Sequence, residues 1–305
     1  MAIAAILLPD RLKSGEALSL RRDLLQQIVG SKLPWGIEIT GSIKDFYSCA
    51  DELIENAKLA RELGAQVITM HAPVSEEHYF DNAATNLCKP DREFLLHLGW
   101  IAGEIGVSSL TFHAECFMRH EDIQHLNRAD KDRLMVKVGE NLYDLARLAP
   151  GVRINVENMP EPLMGNAILS SAEMVYDPLF SNVNELAHFC EVYKLGLTFN
   201  SCHWGARSGV TTGANLMKSF RSISRFVTHI SLADTVGEWL DRRMTFQKGI
   251  VPGQGKLGDN LVRLVHYLRR SAVNCTVTVE VEDRDSEKLE ESRLGLNWLM
   301  WHLNA

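Results

Sequence analysis

Five short apolar runs in this chain each end in a residue able to ligate a cation or move a proton. Val67 to Met70 ends in His71, Ser109 to Phe112 in His113, and Arg153-Ile154-Asn155-Val156 in Glu157. Leu195 to Phe199 ends in Asn200, and Thr276 to Val279 ends in Glu280. A strand buried on both faces of a parallel sheet reads as unbroken Val, Ile and Leu. A carboxylate or imidazole at the tip of such a strand is costly unless a partner, a metal or a ligand satisfies it. Two carboxylates brought to one rim could take up and return a proton, and the imidazoles beside them could bind substrate oxygens. Glu38, inside Gly-Ile-Glu-Ile-Thr, has inward parity and reads as either a substrate-binding or a salt-bridged glutamate.

Positioning these residues requires strands that alternate with helices, and the chain supplies them. Strand-like runs occupy Ile3 to Leu8, Gly36 to Thr40, Val67 to His71, Ser109 to His113, Arg153 to Glu157, Leu195 to Asn200, Val227 to Leu232 and Cys275 to Val281. Between them, helical spacing runs through Leu18 to Val29, Asp51 to Leu63, a segment opened by Pro90 and closed by Gly106, and Arg128 to Leu148. It continues through Val183 to Tyr193, Ala214 to Ser224 and Leu257 to Arg270. A last helix, capped by Ser286, carries Leu289, Leu296, Leu299 and Leu303 on one face. Two connections, Ala72 to Lys89 and Asn158 to Ser181, exceed the usual length and are candidate functional loops. Eight βα units in a chain of 305 residues predict one (β/α)8 TIM barrel spanning 1–305, with its active site at the C-terminal ends of the strands. A doubly wound sheet lacks support, since no GxGxxG follows the first strand.

Net charge is -7, which argues against a basic nucleic-acid surface. No apolar run approaches the roughly 20 residues that span a bilayer, and the opening Met-Ala-Ile-Ala-Ala-Ile-Leu-Leu has no basic segment, so a cytoplasmic protein is expected. Six cysteines at 49, 88, 116, 190, 202 and 275 form no CxxC pair and read as free thiols of a reducing compartment.

With these residues in place, the chain resembles the xylose isomerase-like barrels, which include sugar and sugar-phosphate isomerases and epimerases and also endonuclease IV. Met70-His71-Ala72-Pro73, Phe112-His113-Ala114-Glu115 and Val156-Glu157-Asn158-Met159-Pro160 carry the resemblance. So do Asn200-Ser201-Cys202-His203, His229-Ile230-Ser231-Leu232-Ala233-Asp234, Pro252-Gly253-Gln254-Gly255 and Val279-Glu280-Val281. The resemblance implies a divalent metal (Mn, Mg or Zn) held by glutamates on the fifth and eighth strands, an aspartate on the sixth and a histidine on the seventh. A further histidine follows the aspartate by three residues. Glu157, Glu280 and His203 match that pattern. Asn200 stands in place of the aspartate, and Ser231 in place of the seventh-strand histidine, with His229 two residues earlier. Residues i and i+2 share a strand face but lie roughly 6–7 Å apart, so His229 substitutes only if the strand end bends or the metal sits deeper.

The function implied is a metal-assisted isomerase or epimerase of a small sugar or related polyhydroxy compound. Glu157 and Glu280 would transfer the proton, while His71, His113 and Glu38 bind substrate. Trp204 would stack on a sugar face or pack the barrel mouth, and Arg207 and Lys256 are candidates for a phosphate. An endonuclease IV-like hydrolase is the second reading; its third-metal Asp-x-His pair is missing at Gln247-Lys248-Gly249. A barrel with a degenerate metal site that only binds its ligand is the third.

Overall fold

The computed structural model describes residues 3–12, 14–73, 92–113, 118–119, 127–159, 175–176, 182–205, 214–236, 249–285 and 287–304. Most of the two long connections, together with Arg207, Gln247, Lys248 and Ser286, lies outside these residues.

In chain order the elements are β1 (Ile3–Asp10), α1 (Gly15–Ile28), β2 (Trp35–Ile39), α2 (Ile43–Ser48), α3 (Ala50–Glu62), β3 (Val67–His71), α4 (Arg92–Ile105) and β4 (Ser109–Phe112). There follow β5 (Met118–Arg119), α5 (Arg128–Leu148), β6 (Arg153–Glu157), β7 (Val175–Tyr176), α6 (Val183–Tyr193), β8 (Gly196–Asn200) and α7 (Ser201–Gly205). The chain closes with α8 (Ala214–Ile223), β9 (Val227–Leu232), α9 (Asp259–Arg270), β10 (Cys275–Val279) and α10 (Glu290–Asn304). Among the described residues eight parallel strands close in the order β1-β10-β9-β8-β6-β4-β3-β2. This is the (β/α)8 architecture expected from the alternation of elements.

Strand alternation decides what faces where. Ile37, Ile39, Ile68, Met70, Leu110, Phe112, Ile154, Val156, Leu197, Phe199, Ile230, Leu232, Val277 and Val279 join the helices in one apolar shell. Phe199, for example, meets Phe220 of α8 at a centroid distance of 5.1 Å; full burial of such a side chain contributes about 1.5–3 kcal/mol. The alternate residues point into the lumen, as bonds between non-adjacent strands show. Thr111 of β4 bonds Thr198 of β8 across β6, and His229 of β9 reaches Glu38 of β2 across two strands. Thr69, His71, Thr111, Asn155, Glu157, Thr198, Asn200, His229, Ser231, Thr276 and Thr278 are all buried. Barrel lumens are ordinarily filled by bulky branched apolar residues; this one is mostly polar, with Ala5 and Leu7 of β1 among its apolar members. The strands therefore depart from the unbroken apolar run: they alternate because the barrel interior is not an oil core.

Local signals set the helix ends. Ser14 caps α1 by accepting from Ala17 N, and Asn127 with Asp130 forms a capping box at α5. Where one helix was expected before β3, the chain makes two. Ser42 and Asp45 form a second capping box that starts α2, and Cys49, at φ -126° and ψ 23°, breaks the path before α3. The connection after β4 and the long connection expected after β6 each contribute a short strand, β5 and β7, paired antiparallel. β10 stops at Val279, so Glu280 stands just past the strand rather than inside it.

Candidate active site and metal centre

Glu157 ends β6 with its carboxylate 1% exposed, and three imidazoles surround it. His203 Nδ1 lies 3.0 Å from Oε1, His113 Nε2 3.5 Å from the same oxygen, and His71 Nε2 3.4 Å from Oε2. The His71 and His113 rings meet edge to face at 4.7 Å, and His113 and His203 at 5.5 Å. These residues come from β3, the end of β4 and the turn after β8, so only closure of the barrel brings them together.

Asn200, at the tip of β8, connects this group to Glu280. Its Nδ2 donates to Glu157 Oε1 at 2.8 Å and to Glu280 Oε2 at 3.0 Å. Its Oδ1 accepts from His203 N at 3.0 Å, which fixes which end of the amide carries the hydrogens. The backbone of Asn200 is clamped in turn by Asn158. Asn200 N donates to Asn158 Oδ1 at 2.8 Å, and Asn158 Nδ2 donates to Asn200 O at 3.1 Å. The Asn158 carbonyl also accepts from His203 Nδ1 at 3.1 Å. One residue thus sets both the amide and the imidazole.

Burial alone would raise the pKa of Glu157, but the flanking imidazoles of His113, His203 and His71 outweigh it and hold the carboxyl well below the ordinary carboxylate range. Burial depresses the His71 imidazole, yet Glu157 more than offsets this and its pKa is raised. Glu280 goes the other way. Enclosure, together with the negative charges of Glu157 and Glu38, raises it to about 7, while it keeps some contact with solvent at the mouth. Two carboxyls sharing one amide are shifted in opposite directions, the arrangement that separates acid from base roles.

His71, His113 and Glu157 offer ligand atoms all within 4.8 Å of one another, so this buried cluster could hold a divalent cation. The local bonding suits one. His71 Nδ1 donates to Ala72 O at 2.7 Å, which leaves the Nε2 lone pair facing Glu157. Glu157 Oε2 is buried without a hydrogen bond. Two lone pairs facing each other at 3.4 Å call for a proton or a cation between them. The arrangement implied by resemblance fits less well: the position between Glu157 and Glu280 holds the Asn200 amide, and Ser231, in register with Asn200, brings no ring.

Of the other expected residues, His229 and Glu38 sit together one layer deeper. His229 is fully buried, paired with Thr198 and Thr276 in register, with Nε2 3.1 Å from Glu38 Oε1 and Nδ1 2.6 Å from Thr276 Oγ1. Thr278 Oγ1 lies 3.3 Å from Nε2, and Thr69 Oγ1 donates to Glu38 at 3.4 Å. β9 continues for three residues beyond His229 without the bend that would carry the ring to the rim. Glu38 is raised by burial and lowered by its His229 partner, and it ends below its ordinary value. Trp204 is 1% exposed and belongs to the apolar shell, so its ring packs rather than offering an open stacking face. Lys256 is exposed on the loop before α9.

Three residues that hold the site had no role assigned from sequence: Asn158, Ser201 and Asp234. Ser201 Oγ donates to Ala233 O at 2.6 Å and accepts from Ala233 N at 3.0 Å, tying α7 to β9. The Asp234 carboxylate accepts from the backbone of Thr235, Leu257, Gly253, Gly255 and Gly258 at 2.8–3.1 Å. It therefore serves the start of α9 as a buried anion beside a helix N-terminus. A Cβ on Gly255 would lie 2.4 Å from Asp234 Oδ1, which is why the Pro-Gly-Gln-Gly loop needs its glycine there. Cys49, Cys190, Cys202 and Cys275 are free thiols; burial pushes Cys202 and Cys275 up to about 12, so they are inert.

No protein-family model matches this chain, and no curated protein sequence matches it. Solved structures do. D-psicose 3-epimerase with D-tagatose from Clostridium cellulolyticum H10 aligns at TM-score 0.61 and 14% identity, over 98% of this chain and 96% of that one. The 3-keto-D-glucoside 4-epimerase YcjR from E. coli gives 0.60 and 12%, over 97% and 98%. Endonuclease IV from Thermus thermophilus gives 0.60 and 17%, over 96% and 98%. At such identities the likeness is one of architecture. The chain has a (β/α)8 barrel fold like that of these structures.

Proposed function

We propose that this protein is a divalent-cation-assisted isomerase or epimerase that moves a proton at carbon in a small polyhydroxy carbonyl compound, a sugar or sugar phosphate. The observation that supports it is the pair Glu157 and Glu280, joined through one amide at the barrel mouth and pushed to opposite protonation behaviour. Glu280 is the proton carrier: it takes the hydrogen from the carbon next to the carbonyl as a proton, the C–H electrons form a C=C bond, and the carbonyl π electrons move onto oxygen. Returned to the former carbonyl carbon from the same face, while the adjacent hydroxyl gives its proton to the former carbonyl oxygen, that proton gives an isomer. Epimerisation needs delivery from the opposite face; Glu157, held ionised by its imidazoles, is a poor donor for that step, so the one-face route is the better supported. His71, His113 and Glu157 would hold the cation, which supplies a positive charge opposite the developing oxyanion. His113 and His203 offer ring nitrogens at the mouth that orient substrate oxygens. The D-psicose 3-epimerase, solved with D-tagatose, and the 3-keto-D-glucoside 4-epimerase of similar fold are named for compounds of this class.

The test is solvent hydrogen exchange. Ketopentoses and ketohexoses, free and phosphorylated, are incubated in D2O with protein and Mn, Mg or Zn, and carbon-bound deuterium is followed by NMR. Exchange at a carbon flanking the carbonyl is expected, and its absence across the panel would sink the reading. Abasic-site DNA is the control for the hydrolase alternative; cleavage in place of exchange would favour that reading.

A further inference from the structure

We infer that Asn200 keeps a cation out of the space between Glu157 and Glu280, so that any cation this barrel binds is confined to the histidine side of Glu157. The inference deepens the proposed function, since it rests on His71, His113 and Glu157 forming the cation site of that reading.

Two carboxylates within reach of one atom repel unless something positive lies between them. Here that something is the Asn200 Nδ2 group, with one N–H for Glu157 at 2.8 Å and the other for Glu280 at 3.0 Å. Both amide hydrogens are used, so nothing at this position is left to coordinate. Flipping the amide would offer an oxygen to a cation, but it would turn the NH2 toward the backbone N–H of His203, which now donates to Oδ1 at 3.0 Å. The two bonds from Asn158 fix the backbone from which the amide projects. The conformation is therefore held at both ends. On the other side of Glu157 the situation is reversed: Oε2 has no hydrogen bond and faces the His71 lone pair.

Residue type carries the consequence. Asp at 200 would place a carboxylate oxygen where the amide nitrogen now stands, and three converging carboxylates would call for a cation. Asn at this position therefore leaves one cation site, on the histidine side, with a neutral amide bridging the two carboxyls.

The test counts Mn2+ by isothermal titration and by elemental analysis of gel-filtered protein, without substrate. Asn200→Asp is expected to bind one more Mn2+ per chain than wild type, and the added ion should be lost in Asn200→Asp combined with Glu280→Gln. In the wild-type background Glu280→Gln should leave Mn2+ affinity within about tenfold, whereas His113→Ala should weaken it by more than that. An unchanged count in folded Asn200→Asp would overturn the inference. So would a wild-type Mn2+ that disappears with Glu280→Gln, and that single variant decides the question if the aspartate variant does not fold. The count is read without turnover, so failure of the hydrogen-exchange assay and failure of this inference are separate results.

Discussion

Two buried carboxylates sit in the same lumen, each with imidazole for company, and they are bonded in opposite ways. Glu38, the deeper one, has the Thr69 hydroxyl and, at 3.1 Å, His229, whose second nitrogen is taken by Thr276. The local donors and acceptors are paired. Glu157, at the mouth, has two imidazoles and the Asn200 amide crowding Oε1, while Oε2 faces His71 with no hydrogen bond. Saturation marks a centre that holds the barrel together. Surplus donors facing an unsatisfied oxygen mark one built to receive something. Residue type alone does not separate the two; the completeness of the hydrogen bonding does.

The contrast breaks first at the mouth. Glu280→Gln should lower proton-transfer turnover by about 10²–10⁴-fold, the range for removing a general acid–base group, without unfolding the chain. A variant that unfolds instead would place Glu280 with the structural centre. His229→Ala should cost about 3–5 kcal/mol in denaturant unfolding, because it leaves Glu38 buried without its partner. A loss below about 1 kcal/mol would show that the deep pair is not the saturated unit described.

The next prediction is a pH profile. Wild-type kcat/KM should rise through about pH 7 as Glu280 ionises, and the Glu280→Gln residual activity should lack that limb. Stability should run the other way. A carboxyl whose folded value is about 7 against an ordinary 4.5 contributes stability that is complete below 4.5 and is lost as pH rises through 7. Glu280→Gln should therefore gain stability relative to wild type between acid and neutral pH. The smallest effect belongs to the lumen wall: Thr111→Val leaves the Thr198 hydroxyl without its 3.0 Å partner and should cost about 1–3 kcal/mol.

Most of the architecture could be read from the sequence because one-dimensional periodicity carries it: apolar runs of strand length, helical spacing between them, glycine and proline at the joins. The convergence of His71, His113, Glu157, Asn200, His203 and Glu280 was readable for the same reason, since strand-end position in a barrel is rim position. The depth of His229 was not. One step of strand parity tells inside from outside, but only the register with Thr198 and Thr276 tells layer from layer. Asn158 was also hidden. It lies next to Glu157 in sequence, and its task, clamping the backbone of Asn200, depends on a neighbour 42 residues away. Asp234 was visible as an acidic residue after β9, yet the amides it gathers arrive from the loop before α9.

The threonine-lined lumen has a thermal consequence. Exposing apolar surface on unfolding raises the heat capacity by about 0.45 cal/K/mol/Å², while exposing polar surface lowers it by about 0.26. In this barrel the outer shell supplies the first contribution, and Thr69, Thr111, Asn155, Thr198, Thr276 and Thr278 supply the second from the inside. Compared with a barrel of equal size whose lumen is packed with valine and leucine, this chain should unfold with a smaller heat-capacity increment. Its stability should then fall away more gently on both sides of its optimum, so that cold as well as heat takes longer to loosen the mouth.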